Sequence, residues 1–310
     1  MGWLSWFSSN CPLGLGCCFV PRAPEGTVLP HLEEVQLGGG DGGGESVILE
    51  AGMTAKENDS KGGHAAAAVR VVLISDTHGR HRELDPLPKG DVLIHAGDFT
   101  TYHKYGSRGT LQEFDRWLGE QTQYTTRLVI CGNHETFLDE GGDSRPSCEL
   151  KNAQWLHGNI IETTSNLRVY GAPYRPRRGC CYQAEAFGRS QGFLRDVWKS
   201  IKKEARIDIV VTHGPPFGVL DVEKVGHIGD WYLLKHIQEA RPSLHVFGHV
   251  HGTHGARLLR NKNTVSMNPN SSRSHNKSGD NTILFVNASS CCTEKGGLHP
   301  PVIVDIFPKV

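Results

Sequence analysis

The stretch VRVVLISDTHG, residues 69–79, decides the fold. An aliphatic run interrupted only by Arg70 has the length and β-branched content of a sheet strand, and it stops where Ser75, Asp76, Thr77 and His78 bring polar side chains into a chain that was buried. The same grammar returns in DVLIHAGD (91–98), RLVICGNHE (127–135), IDIVVTHG (207–214) and LHVFGHVH (244–251). Between these units lie amphipathic segments: GTLQEFDRWLGEQ (109–121), with Leu111, Phe114, Trp117 and Leu118 on one helical face, EAFGRSQGFLRDVWKSI (185–201) and GDWYLLKHIQEA (229–240). NLRVYGA (166–172), TILFVNAS (282–289) and VIVDIF (302–307) add strands, so the chain reads as α/β, and in such sheets ligands collect at the carboxyl ends of strands, where the polar blocks fall.

The residue types at those ends point to metal. Asp76, His78, Asp98, Asn133, His213, His249 and His251 offer imidazole, carboxylate and amide donors without a thiolate, a set that suits Mn, Fe or Zn. In extended chain the i, i+2 spacing of Asp76 and His78, and of His249 and His251, points each pair the same way as two chelating arms. Gly97, Gly132 and Gly248 precede Asp98, Asn133 and His249 and permit sharp turns or close backbone approach. At Gly132 this lets Asn133 serve the metal while His134 faces a substrate. Seven donors are too many for one tetrahedral ion and enough for two if Asp98 bridges them. Two divalent ions, two aspartates and a bridging hydroxide leave about +1 in a low-dielectric cleft, which draws an anionic phosphoester. Asp-x-His or Gly-Asp alone recurs by chance; five blocks in order, each after a strand, carry far more weight.

D-x-H, G-D, G-N-H-E, H-G and G-H-x-H in this order resemble the calcineurin-like metallophosphoesterase superfamily. HGPP (213–216), RPSLHVFGHVHG (241–252), LFVNASSCC (284–292) and PPVIVDIF (300–307) resemble its metallophosphoesterase-domain-containing subfamily, related to class III cyclic-nucleotide phosphodiesterases. The resemblance runs over residues 69–308 and implies two packed mixed β-sheets flanked by helices, with the metals at one sheet edge. It implies one metal held by Asp76, His78, Asp98 and His251 and another by Asp98, Asn133, His213 and His249. A hydroxide bridging the two attacks phosphorus in line, and His134 protonates the leaving oxygen. It also tips the substrate toward diesters such as cyclic nucleotides. The polar stretch 261–281 is longer than the family's usual connection, and residues 1–68 have no counterpart in it.

The remaining readings are plainer. His31, His64, His81, His103, His157, His227, His236, His275 and His299, among 17 histidines, are read as ordinary surface or core residues. Arg80, Arg82, Arg175, Arg177 and Arg178 read first as solvated surface, with Arg80 the one retained as a substrate contact. With 33 basic and 33 acidic residues the formal net charge is zero, so no general nucleic-acid binding is expected. Nine cysteines, an odd number without C-x-x-C spacing, argue against a disulfide framework or zinc knot and for a reducing cytoplasm.

Residues 1–68 read as a flexible extension and Gly-rich linker, with one short strand at SVILEAG (46–52), and residues 69–310 as the catalytic domain. The first twenty residues carry no charge but lack the form of a signal peptide. Trp3, Trp6, Phe7 and an acylated Cys17 or Cys18 give a peripheral-membrane alternative, weakened because Trp6 stands where a myristoylation signal wants Ser or Thr. A phosphoprotein or small-molecule phosphomonoesterase, or a non-catalytic scaffold on the same fold, are the alternative functions. The complete donor set argues against the scaffold. Oligomeric state is left open.

Overall fold

A computed structural model gives the fold and describes residues 29–35, 38–39, 45–51, 67–101, 108–141, 146, 148–177, 186–203, 206–260, 282–291 and 296–308. Expectations for residues 1–28 and 261–281, for His64 and His103, for Arg178 and for Cys180, Cys181 and Cys292 lie outside the described residues. β1 (Glu33–Val35), β2 (Gly38–Gly39) and β3 (Glu45–Ala51) come first. Then follow β4 (Val69–Ile74), β5 (Val92–His95), α1 (Arg108–Glu120), β6 (Thr126–Val129), β7 (Gln154–Trp155), β8 (Asn159–Glu162) and β9 (Arg168–Ala172). β10 (Arg175–Pro176) and β11 (Gly188–Arg189) form a small ribbon ahead of α2 (Gln191–Lys203) and β12 (Ile209–Thr212). A second ribbon, β13 (Val222–Glu223) with β14 (Gly226–His227), precedes α3 (Trp231–Ala240), β15 (Leu244–Phe247), β16 (Gly255–Arg260), β17 (Thr282–Asn287) and β18 (Val302–Ile306).

The strands form two mixed sheets in the orders β2-β3-β18-β4-β5-β6-β7 and β1-β16-β17-β15-β12-β9-β8. Alternation along each strand divides its side chains between two layers. Val71, Leu73, Ile94 and Leu128 of one sheet share a buried cluster with Val169, Val211, Val246 and Leu284 of the other, the core between the sheets. Val72, Leu93 and Val129 belong instead to the cluster containing Leu111, Phe114, Trp117 and Leu118 of α1 and Leu194, Trp198, Leu233 and Ile237 of α2 and α3, so the outer faces are covered by helices. The two-sheet architecture is the one expected.

Register brings the motif turns together. β4, β5 and β6 run parallel with Ile74 opposite His95 and His95 opposite Val129, so their ends align. β12, β15 and β17 are likewise parallel. Just beyond the strands Ser75 bridges to Ser289, which ties one sheet to the other at the same edge.

Two expectations change. The second helix begins at Gln191, later than 185, because Phe187 (φ 56°) accepts from the Arg175 N–H at 3.2 Å and Gly188 and Arg189 are committed to the ribbon with β10. Ser190 Oγ then accepts from the Phe193 N–H at 3.3 Å as a cap. Within the segment read as linker, β3 does form and pairs in parallel with β18, but β1 and β2 are strands as well, pairing with β16 and β3. Two or three residues are too few to display a period, so those strands are specified by their partners.

Candidate metal centre

The turn after β4 is laced to the turn after β5. The N–H groups of Asp76, His78 and Gly79 donate to the carbonyls of Gly97, Asp98 and Phe99 at 2.9, 3.0 and 2.9 Å. This lacing holds Asp76, His78 and Asp98 at φ 53°, 46° and 55°, and His249 stands at 72°. The left-handed region costs a non-glycine residue on the order of 1–3 kcal/mol, and such residues cluster at functional sites where surrounding bonds over-determine them. The extended-chain picture of paired arms is therefore corrected. Asp76 and His78 converge because both turn left-handed, and His249 and His251 diverge into different clusters.

Glycine lets these turns touch. A Cβ on Gly248 would overlap Asp76 Oδ2 and Ser75 Oγ, and one on Gly132 would overlap the Asp98 carboxylate and backbone nitrogen. The His249 N–H uses the space beside Gly248 to donate to both Asp76 oxygens at 3.1 and 3.0 Å.

Among the described residues three overlapping groups have donor atoms within 4.8 Å of one another: Asp76, His78 and His251; His78, Asp98 and His134; Asp98, His213 and His249. In the first, His251 Nε2 lies 3.2 Å from Asp76 Oδ1 and 3.2 Å from His78 Nε2. In the third, His213 Nε2 lies 3.3 Å from Asp98 Oδ2 and 2.9 Å from Asn133 Oδ1, which brings in the seventh residue. Asp98 belongs to two groups. All seven expected residues thus gather at one edge, and His134 joins them through its group with His78 and Asp98.

The ring nitrogens fit an ion. His78 Nδ1 faces the Thr100 carbonyl at 3.2 Å and His213 Nδ1 the Ala96 carbonyl at 2.9 Å. A carbonyl only accepts, so Nδ1 carries a hydrogen in both rings, which leaves Nε2 as the atom that would give its lone pair to an ion once it sheds its proton. Electrostatics agree. Burial opposes ionisation of Asp76 and Asp98, yet His251 at Asp76 and His213 at Asp98 outweigh it and hold both carboxyls below the ordinary range. Burial would lower the imidazoles, but Asp98 carries His213 up to about 9, and hydrogen bonds to Asp76 and Cys291 carry His251 up to about 11. The cleft strongly favours positive charge.

Residues 69–253 match the family model described as Calcineurin-like phosphoesterase, well over half of the chain. The chain belongs to this family. The calcineurin-like phosphoesterase is 32% identical over 265 residues to human metallophosphoesterase domain-containing protein 1, covering 76% of this chain and 71% of that one. It is 33% identical over 259 residues to a UPF0046 protein of Caenorhabditis elegans, covering 77% and 81%. It is also 38% identical over 202 residues to a probable rhamnogalacturonate lyase C of Emericella nidulans, covering 62% of this chain but spanning only 18% of that one. Family membership and the donor clusters together make the chain a metal-dependent phosphoric ester hydrolase.

One residue of this phosphoesterase's site was passed over in the sequence. Glu135, wholly buried, accepts from the Thr100 N–H (2.9 Å) and hydroxyl (2.8 Å) and from the N–H groups of Gly132 (2.6 Å) and Asp98 (3.1 Å). It clamps the Asp98 turn to the Asn133 turn. Burial first and the Asp98 charge second push its carboxyl up to about 7. The fourth letter of G-N-H-E was its only signal. Arg80 follows the first motif, but its guanidinium is held by Glu83 at 2.9 and 2.6 Å.

Proposed function

We propose that this phosphoesterase hydrolyses phosphodiesters, cyclic nucleotides among them, on two divalent transition ions of the Mn, Fe or Zn type. Asp76, His78 and His251 hold one ion, Asn133, His213 and His249 the other, and Asp98 is shared. The observation that carries this reading is the run of three overlapping donor groups, the first and second sharing His78 and the second and third sharing Asp98. Ions bound there would polarise a phosphoryl oxygen and acidify water. Among the described residues no helix is long and apolar enough to cross a membrane, and Cys131, Cys148 and Cys291 are free thiols, in keeping with a reducing cytoplasm as the proposed setting.

His134 is the proton donor to the leaving oxygen in this reading. Its backbone N–H donates to Asp98 Oδ1 at 2.9 Å, which orients it, and its ring stays 22% exposed with Nε2 3.8 Å from Asp98 Oδ2. Burial lowers its pKa, Asp98 opposing; an anionic substrate adds to the opposition. A diester suits this cleft because Arg80, the cation beside the first motif, already has part of its charge answered by Glu83. A monoester brings nearly two charges and usually meets several unengaged arginines.

His134→Ala tests the assignment. Metal content stays at the wild-type level while a cyclic nucleotide, whose leaving group is an alkoxide, slows by about 10² to 10⁴ and a nitrophenyl diester far less. Equal slowing of both would make His134 a binding residue. Loss of metal would make it a ligand, as its grouping with His78 and Asp98 allows.

A further inference from the structure

Two buried histidines outside the candidate ligand set repeat one arrangement, once in each sheet. His95 on β5 and His245 on β15 are both fully buried. His95 lies edge-on to Phe99 and Phe114, and His245 packs against Phe247 and Phe285. Both face the helix side, since their neighbours Ile94, Leu244 and Val246 point into the core between the sheets. His95 Nε2 lies 3.0 Å from Thr77 Oγ1, and Thr77 stands between Asp76 and His78. His245 Nε2 lies 2.9 Å from Thr212 Oγ1, and Thr212 immediately precedes His213.

Hydrogen accounting sets the direction of these contacts. Thr212 donates its single hydroxyl hydrogen to the Gly214 carbonyl at 2.8 Å, so it can only accept from His245 Nε2–H. Nδ1 of both rings is buried without a hydrogen-bond partner. A lone pair is tolerated there better than an orphaned N–H, so His95 also carries its hydrogen on Nε2 and donates to Thr77.

We propose that His95 and His245 are paired positioning residues, each donating through a threonine to the turn that carries one half of the metal centre. His95 sets the Asp76–His78 turn and His245 sets His213. The proposal rests on the two-ion reading above. Two observations support it. Thr77 sits between residues at φ 53° and 46°, a turn that persists only if its surroundings over-determine it. Burial drives both imidazoles down to about 3, so each ring is neutral at neutral pH and keeps the single N–H that the hydrogen accounting places on Nε2.

The test reads Mn²⁺ affinity by calorimetric titration in the full chain, with His249→Ala or His251→Ala as backgrounds that each leave one ion site complete. His95→Phe keeps an aromatic volume and removes the donor. It is expected to weaken binding about 10- to 100-fold where the Asp76, His78 and His251 site remains, and not where the other remains. His245→Phe does the reverse. His95→Gln and His245→Gln return an N–H near the Nε2 position and restore binding. Thr77→Val removes the acceptor without touching the aromatic layer and decides the case if His95→Phe does not fold. Folded Phe variants with wild-type affinity, losses falling equally on both sites, or Gln variants as weak as Phe would each overturn the proposal. A wild-type chain that takes up fewer than two Mn²⁺ would instead remove the two-ion reading beneath it.

Discussion

Glu135→Gln keeps the shape of the buried clamp and changes one oxygen to a nitrogen that only donates. Each carboxylate oxygen receives two donors, Oε1 from Thr100 and Oε2 from Gly132 and Asp98. Whichever side the amide nitrogen takes, two bonds are lost and their donors are left facing a donor. Bonds to a charged group contribute about 1.5–3 kcal/mol each, so the loss is roughly 3–6 kcal/mol. One effect opposes it: burial and Asp98 push the carboxyl up to about 7, so the neutral amide escapes part of an ionisation cost. Hydrogen bonding should win, because all four bonds address the ionised form and the amide remakes only two. Even a loss of about 3 kcal/mol is a large share of the 5–15 kcal/mol typical of a domain. At about 2–4 °C per kcal/mol for a domain of this size, Tm falls by roughly 6–12 °C. The assay is thermal unfolding followed by circular dichroism at about pH 8 with chelator present, alongside Mn²⁺ uptake, which should weaken as the Asp98 and Asn133 turns loosen. A variant that melts with the wild type and binds Mn²⁺ equally well would refute the clamp.

Asp98→Ala should cost both ions, because Asp98 lies within reach of His78 from one proposed site and of His213 and His249 from the other; near two equivalents of retained metal with full activity would reject its bridging role. Acid stability follows from His95 and His245, whose folded values near 3 lie below the ordinary 6.5. The unfolded chain binds the extra protons, so their contribution is complete above about pH 6.5 and is lost as pH falls toward 3, at up to about 1.4 kcal/mol per pH unit for each. His245→Gln should remove one proton's worth of slope from ΔG of unfolding measured between about pH 6 and 4, and an unchanged slope would refute the assignment. A chain beginning at Ala65 keeps every candidate ligand and should keep its metal, but it lacks β1 and β3 on the edges of β16 and β18 and should melt lower. Loss of metal from that folded, shortened chain would place the N-terminal residues in the site.

The sequence by itself determined which segments are buried strands and which side chains stand at their ends. β4, β5, β6, β12 and β15 each lie in a largely apolar, buried run that gives way to a polar motif within a few residues of the strand end. Leu111, Phe114, Trp117 and Leu118 could be assigned to one face of α1 because helical spacing is local, and all four are buried. Tertiary structure alone decided the rest. The left-handed turns at Asp76 and His78 exist because their N–H groups meet carbonyls some twenty residues away, at Gly97 and Asp98. The separation of His249 from His251 follows from Asp76 accepting the His249 N–H across the interval between distant turns. Glu135, His95 and His245 act on partners in other turns, and β1 and β2 are strands only because β16 and β3 offer them edges. Period and composition record what a residue buries, whereas a backbone dihedral or a buried hydrogen bond depends on what the remainder of the chain brings beside it.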